Sequence, residues 1–102
     1  MIEIAVCDDE ICFAALIEKL LEKISKKNRI KINVEVFTDG YDIVREIKNG
    51  YCFDIIYMDI EMKGKNGLEA AKEIREIDKV ALLIYVSNYE SYMAESFDYR
   101  PF

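Results

Sequence analysis

A chain of 102 residues, 52% hydrophobic and 33% charged, has the size of one small domain and the composition of a soluble globular protein, not a disordered one. Its formal net charge of -6 argues against nucleic-acid binding by this domain, because a phosphate backbone demands a basic face. With no histidine, Ser-His and Cys-His nucleophile pairs and ordinary zinc sites are excluded, and no apolar stretch approaches the length of a membrane span.

The run Met1–Cys7 ends at the acidic pair Asp8-Asp9 and reads as a first strand over residues 2–7. Phe13, Leu16, Ile17, Leu20, Leu21 and Ile24 then recur at helical spacing and predict a helix over roughly residues 11–27. Residues 31–37 alternate apolar and polar, as an edge strand or one with a wet face does. Thr38 and Asp39 can cap a short helix carrying Ile43, Val44 and Ile47, which Asn49-Gly50 ends. Two nearly continuous apolar runs follow, Asp54–Met58 and Ala81–Val86, and both read as central strands covered on two faces. Between them, Lys63–Gly67 is a loop, and a helix is expected from Leu68 to Ile77. A weaker helix is expected near Glu90–Phe97, with Arg100–Phe102 extended.

Strand and helix therefore alternate without repeats or linkers, which predicts one α/β domain: a doubly wound parallel sheet with helices on both faces. An alternating, edge-like second strand points to the flavodoxin-like order 2-1-3-4, in three α/β/α layers. In such a sheet the strand C-termini converge on one edge, where ligands bind. Asp8 and Asp9 follow the first strand, Asp59 the third, and Ser87 the fourth. Singly, each has a bland explanation as a helix cap or turn residue. Together, three like charges at one edge repel unless one is protonated or a cation joins them. Hard oxygen donors with no soft ligand beside them favour Mg²⁺. The three cysteines, Cys7, Cys12 and Cys52, lack metal-site spacing and are expected to be reduced, mostly buried thiols of a cytoplasmic protein.

Asp8-Asp9, Met58–Met62, Gly67 and Ser87 together resemble the receiver domain of two-component response regulators, over the whole chain. The stretch Ser87–Phe97 is similar, more narrowly, to receivers joined to LytTR-type DNA-binding domains. The resemblance implies that Asp59 accepts a phosphoryl group from a sensor histidine kinase. It implies that Asp9 binds Mg²⁺ directly, Asp8 largely through water, and Glu61 through its backbone carbonyl. Ser87 would be the hydroxyl that swings to the phosphoryl group, with Tyr92 or Tyr99 as aromatic positions that reorient. Such a domain is no enzyme beyond slow self-dephosphorylation, and it meets DNA only through an output domain and no membrane.

Receivers also carry a lysine-proline pair after a fifth strand, and Arg100-Pro101 comes too soon after Ser87 to replace it. The expectation is a receiver domain over residues 1–102 that is incomplete at its C-terminus, stopping before the fifth strand and helix, with its output domain absent. Lys63 stands where a proline is common after the acceptor. The apolar run Ala81–Val86 would then be an exposed edge, prone to pair between chains, so a homodimer or other self-association is expected. Alternatives are a Mg²⁺-dependent aspartyl-nucleophile phosphohydrolase and a receiver-like interaction module that takes no phosphate. In the first, Asp59-Ile60-Glu61 matches an Asp-x-Asp motif only in part, and on the wrong strand. The intact acidic set with Ser87 opposes the second. A flavin-binding protein of this fold lacks support, because Asp8–Ile11 offers no phosphate cradle.

Overall fold

The computed structural model describes residues 1–62 and 66–86. Four strands and three helices alternate along them: β1 (Ile2–Cys7), α1 (Ile11–Asn28), β2 (Ile32–Phe37), α2 (Gly40–Lys48), β3 (Ile55–Asp59), α3 (Gly67–Ile77) and β4 (Leu82–Val86). The strands form one sheet in the order β2-β1-β3-β4, every pair parallel. This is the expected doubly wound arrangement, with β1 and β3 innermost. The expected helix near residues 90–97 and the Arg100–Phe102 extension lie outside the described residues.

Local signals explain most boundaries. Asp39 caps α2, its carboxylate accepting from the Tyr41 amide at 2.7 Å. Gly50, at φ 101°, takes the left-handed turn that ends this helix, a conformation available to glycine without strain. Asn66 caps α3, accepting from the Glu69 amide at 2.9 Å while its own amide donates to the Glu69 carboxylate at 3.1 Å. Asp78 ends the same helix and folds back, its Oδ1 accepting from the amides of Val80 and Ala81.

The main core lies between one face of the sheet and helices α2 and α3. Ala5 and Cys7 of β1, Ile56 and Met58 of β3, and Leu83 of β4 point there, opposite Ile43, Val44 and Ile47 of α2 and Ala70, Ala71 and Ile74 of α3. Side-chain alternation along a strand sends Ile4 and Val6 to the other face, beneath α1. Fully burying Ile43, Ile56 and Ile74 contributes about 1.5–3 kcal/mol each.

The structure corrects three expectations. Cys12 and Cys52 are exposed and only Cys7 is buried, because Cys12 sits in the first turn of α1 away from the sheet and Cys52 in the loop before β3. β4 closes one side of the described sheet, as the order 2-1-3-4 implies, but it is not covered on both faces: Leu82 is 47% exposed. The apolar stripe of α1 is wider than the sheet surface beneath it. Phe13, Ile17 and Leu21 are half-buried, while Leu16, Leu20 and Ile24 are each more than half exposed. Among the described residues, no helix is long and apolar enough to cross a membrane.

Candidate functional site

Parallel pairing of the two inner strands brings the acidic residues together. Cys7 sits beside Met58 in register, so the chain leaves β1 at Asp8 next to the place where β3 ends at Asp59. Carboxylate oxygens of Asp8, Asp9 and Asp59 all lie within 4.8 Å of one another. Asp8 and Asp59 are buried and Asp9 is half-buried. Each buried carboxylate is held by a backbone amide two residues on: Glu10 N–H donates to Asp8 Oδ1 at 2.9 Å, and Glu61 N–H donates to Asp59 Oδ1 at 3.3 Å. Asp8 is thus committed to turning the chain into α1, whose N-cap is Glu10 and makes no side-chain capping bond.

Burial and like charge dominate the electrostatics. Removal from water, then the neighbouring Asp8 carboxylate, pushes the Asp59 carboxyl up to about 7 against the opposing Glu61 amide. Burial also raises Asp8, and the Glu10 amide opposes that rise. A side-chain hydrogen bond joins the two residues, stabilising ionised Asp8 and protonated Asp59. A cation would relieve the crowding of these like charges. Three hard oxygen donors suit Mg²⁺, and the one thiol next to them is no competitor. Burial, followed by the field of Asp39, pushes the Cys7 thiol up to about 12, and its side chain lies on the core face. The donor set therefore fits the ion expected from the sequence.

Of the other residues singled out in the sequence, Glu61 lies two positions after Asp59 in the β3–α3 loop and its side chain is exposed. Ser87, Tyr92 and Tyr99 lie outside the described residues. The residue before Ser87 is well placed, however: Val86 pairs with Asp59 across β4 and β3, and its carbonyl accepts from Ile60 N–H at 3.0 Å.

Two supports of the site were not assigned a physical role from sequence. Gly67 opens α3 directly against the end of β3, and a Cβ there would overlap the Asp59 carbonyl oxygen. Its amide donates to the Ile60 carbonyl at 3.0 Å. Asn66 fixes the start of that helix, and the spacing Asn66-x-x-Glu69 is a capping-box signal legible in the sequence. The close approach at Gly67 has no such signal, because it depends on where α3 docks.

The family model of the response regulator receiver domain matches residues 4–99. Among curated relatives, the two-component response regulator 24 of Arabidopsis thaliana is 35% identical over 72 residues, covering 71% of this chain and 48% of that protein. The sensory transduction protein LytT of Oceanobacillus iheyensis is 43% identical over 47 residues, covering 44% of this chain and 19% of that protein. The matches thus span less than half the length of these relatives. The crystal structure of response regulator TrrA from Thermotoga maritima, in complex with Mg²⁺-BeF, superposes with a TM-score of 0.69 at 30% identity, covering 95% of this chain and 80% of that one.

Proposed function

This chain belongs to the receiver domain family of response regulators, and on that premise we propose that Asp59 accepts a phosphoryl group from a sensor histidine kinase. The observation that carries the proposal is the convergence of Asp8, Asp9 and Asp59 within 4.8 Å at the C-terminal edge of the sheet. Asp8, Asp9, Asp59 and the backbone carbonyl of Glu61 would hold Mg²⁺. Bound there, the ion supplies charge neutralisation between an anionic carboxylate and an anionic donor. That a relative was solved with Mg²⁺-BeF supports this choice of ion.

The residues divide the work. With the cation bound, Asp59 is ionised, and one carboxylate oxygen attacks the donor phosphorus while the bond from phosphorus to the donor's leaving group breaks. The Glu61 amide at 3.3 Å orients the other face of that carboxyl. The product is an acyl phosphate, with added charge and acceptor oxygens at the sheet edge. Ser87, next to Val86, supplies the hydroxyl that meets them, and a hydrogen bond made only in the phosphorylated state shifts the population of the segment that follows. Tyr92 or Tyr99 reorients with it. The domain acts in the cytoplasm and switches a LytTR-type DNA-binding domain, a placement supported by likeness to two LytT proteins.

Incubation with acetyl phosphate and Mg²⁺ tests the proposal by mass spectrometry. The expected result is one acid-stable, base-labile phosphoryl group per chain, lost in Asp59→Asn. Continuous turnover of a phosphomonoester would favour the phosphohydrolase instead, and no labelling of Asp59 under any donor would leave a pure interaction module.

A further inference from the structure

Beneath the carboxylates, a second contact joins the same two strand ends. Cys7 closes β1 and directly precedes Asp8; Met62 directly follows Glu61 in the β3–α3 loop. The Cys7 thiol donates to the Met62 thioether, with Sγ 3.7 Å from Sδ. Cys7 is 1% exposed and Met62 is 7% exposed, both in the cluster facing α2 and α3. The contact thus lies in the core and ties together the two segments that carry the acidic residues.

Among the described residues, other bonds also hold the loop. Ile60 is held at both backbone groups, by the Val86 carbonyl and the Gly67 amide, each at 3.0 Å. The exposed Glu61 side chain offers its own backbone no hold, and the Glu61 amide bond to Asp59 is long at 3.3 Å. Burial of Met62 thus fixes the chain just after Glu61 to the core. A methionine has three rotatable bonds and by itself selects no single arrangement. A directional sulfur contact does select one.

We infer that Met62, held by the Cys7 thiol, is a positioning residue that sets the Glu61 backbone carbonyl against Asp8, Asp9 and Asp59 and thereby tunes divalent-cation affinity. The inference rests on the cation site proposed above. A purely space-filling methionine predicts instead that leucine serves equally well.

The test is Mg²⁺ titration by calorimetry of the wild type, Met62→Leu, Cys7→Ala and the double variant, with amide exchange at Glu61 read by NMR in metal-free protein. Each single change is expected to weaken Mg²⁺ binding roughly two- to tenfold, the range of one modest hydrogen bond. Glu61 exchange should quicken in both. The double variant should be no worse than the weaker single, because both remove one shared contact. Unchanged affinity in Met62→Leu, or effects that multiply in the double variant, would overturn the inference. Wild-type protein that ignores Mg²⁺ would refute the cation site. Glu61 exchange then decides the positioning role alone: quickened in both singles and no faster in the double, it stands; unchanged, it falls.

Discussion

At the scale of single residues, burial of Asp59 beside Asp8 sets how the site responds to pH. The folded-state pKa of Asp59 is raised to about 7 from an ordinary 3.8. Between those values the folded chain holds a proton that the unfolded chain has lost. This contribution to stability is complete below about pH 4 and disappears as pH rises through about 7. Asp59→Asn removes that dependence. In thermal melts with EDTA, the variant should gain on the wild type between pH 5 and pH 8; an unchanged difference would refute the raised pKa. Mg²⁺ at pH 8 should restore the wild type more than the variant, because binding only to the folded state stabilises it.

Gly67 belongs to the same scale. Alanine there would force α3 away from the Asp59 carbonyl and the Ile60 Cα. Overpacking of this kind costs about 1–3 kcal/mol, measurable by urea unfolding. A neutral Gly67→Ala would mean that α3 docks elsewhere. Asp59, Asp8 and Asp9 were legible in the sequence because each ends an apolar run. Gly67 carried no physical signal, since the atom it must avoid belongs to a strand on the far side of a loop.

Helices and strands differ in how faithfully sequence patterns reported them. α2 buries what its periodicity marks, Ile43, Val44 and Ile47, whereas α3 buries Ala70, Ala71 and Ile74 but leaves Leu68 and Ile77 about half exposed at its ends. The pattern of α1 also marks Leu16, Leu20 and Ile24, which the sheet does not cover. Periodicity reports an apolar face; the width of that face actually buried depends on the neighbours the helix finds. The two classes should separate in denaturant melts. Ile74→Ala should cost about 2–5 kcal/mol, because it opens a cavity between α3 and the sheet. Leu20→Ala should cost about 0.5 kcal/mol or less, as at other surface positions. Equal losses at the two positions would show that Leu20 is covered. Asp39→Ala should cost about 0.5–2 kcal/mol through loss of the α2 cap.

Across the whole molecule, charge and edge exposure set the behaviour in solution. Asp39 and Asp42 add their field to that of Asp8 and Asp59, as the raised Cys7 thiol records. Cation binding should therefore weaken as salt screens this acidic edge. β4 bounds the described sheet with no further described strand beside it, and an apolar edge of this kind invites pairing between chains. Sedimentation velocity should show mass rising with concentration, and a constant monomer at every concentration would refute self-association through β4.

The sequence by itself determined the alternation of strands and helices, the edge position of β2 and the identity of the acidic residues at strand ends. Those features are local: apolar runs, helical spacing and capping residues act within a few positions. It took the fold to show that Asp8 and Asp59 are buried side by side, that Gly67 lies against the Asp59 carbonyl, and that Cys7 meets Met62. The second depends on where α3 docks against β3, and the first and last on parallel pairing of β1 and β3, strands far apart in the chain. Burial at their shared edge converts two ordinary carboxylates into one coupled pair.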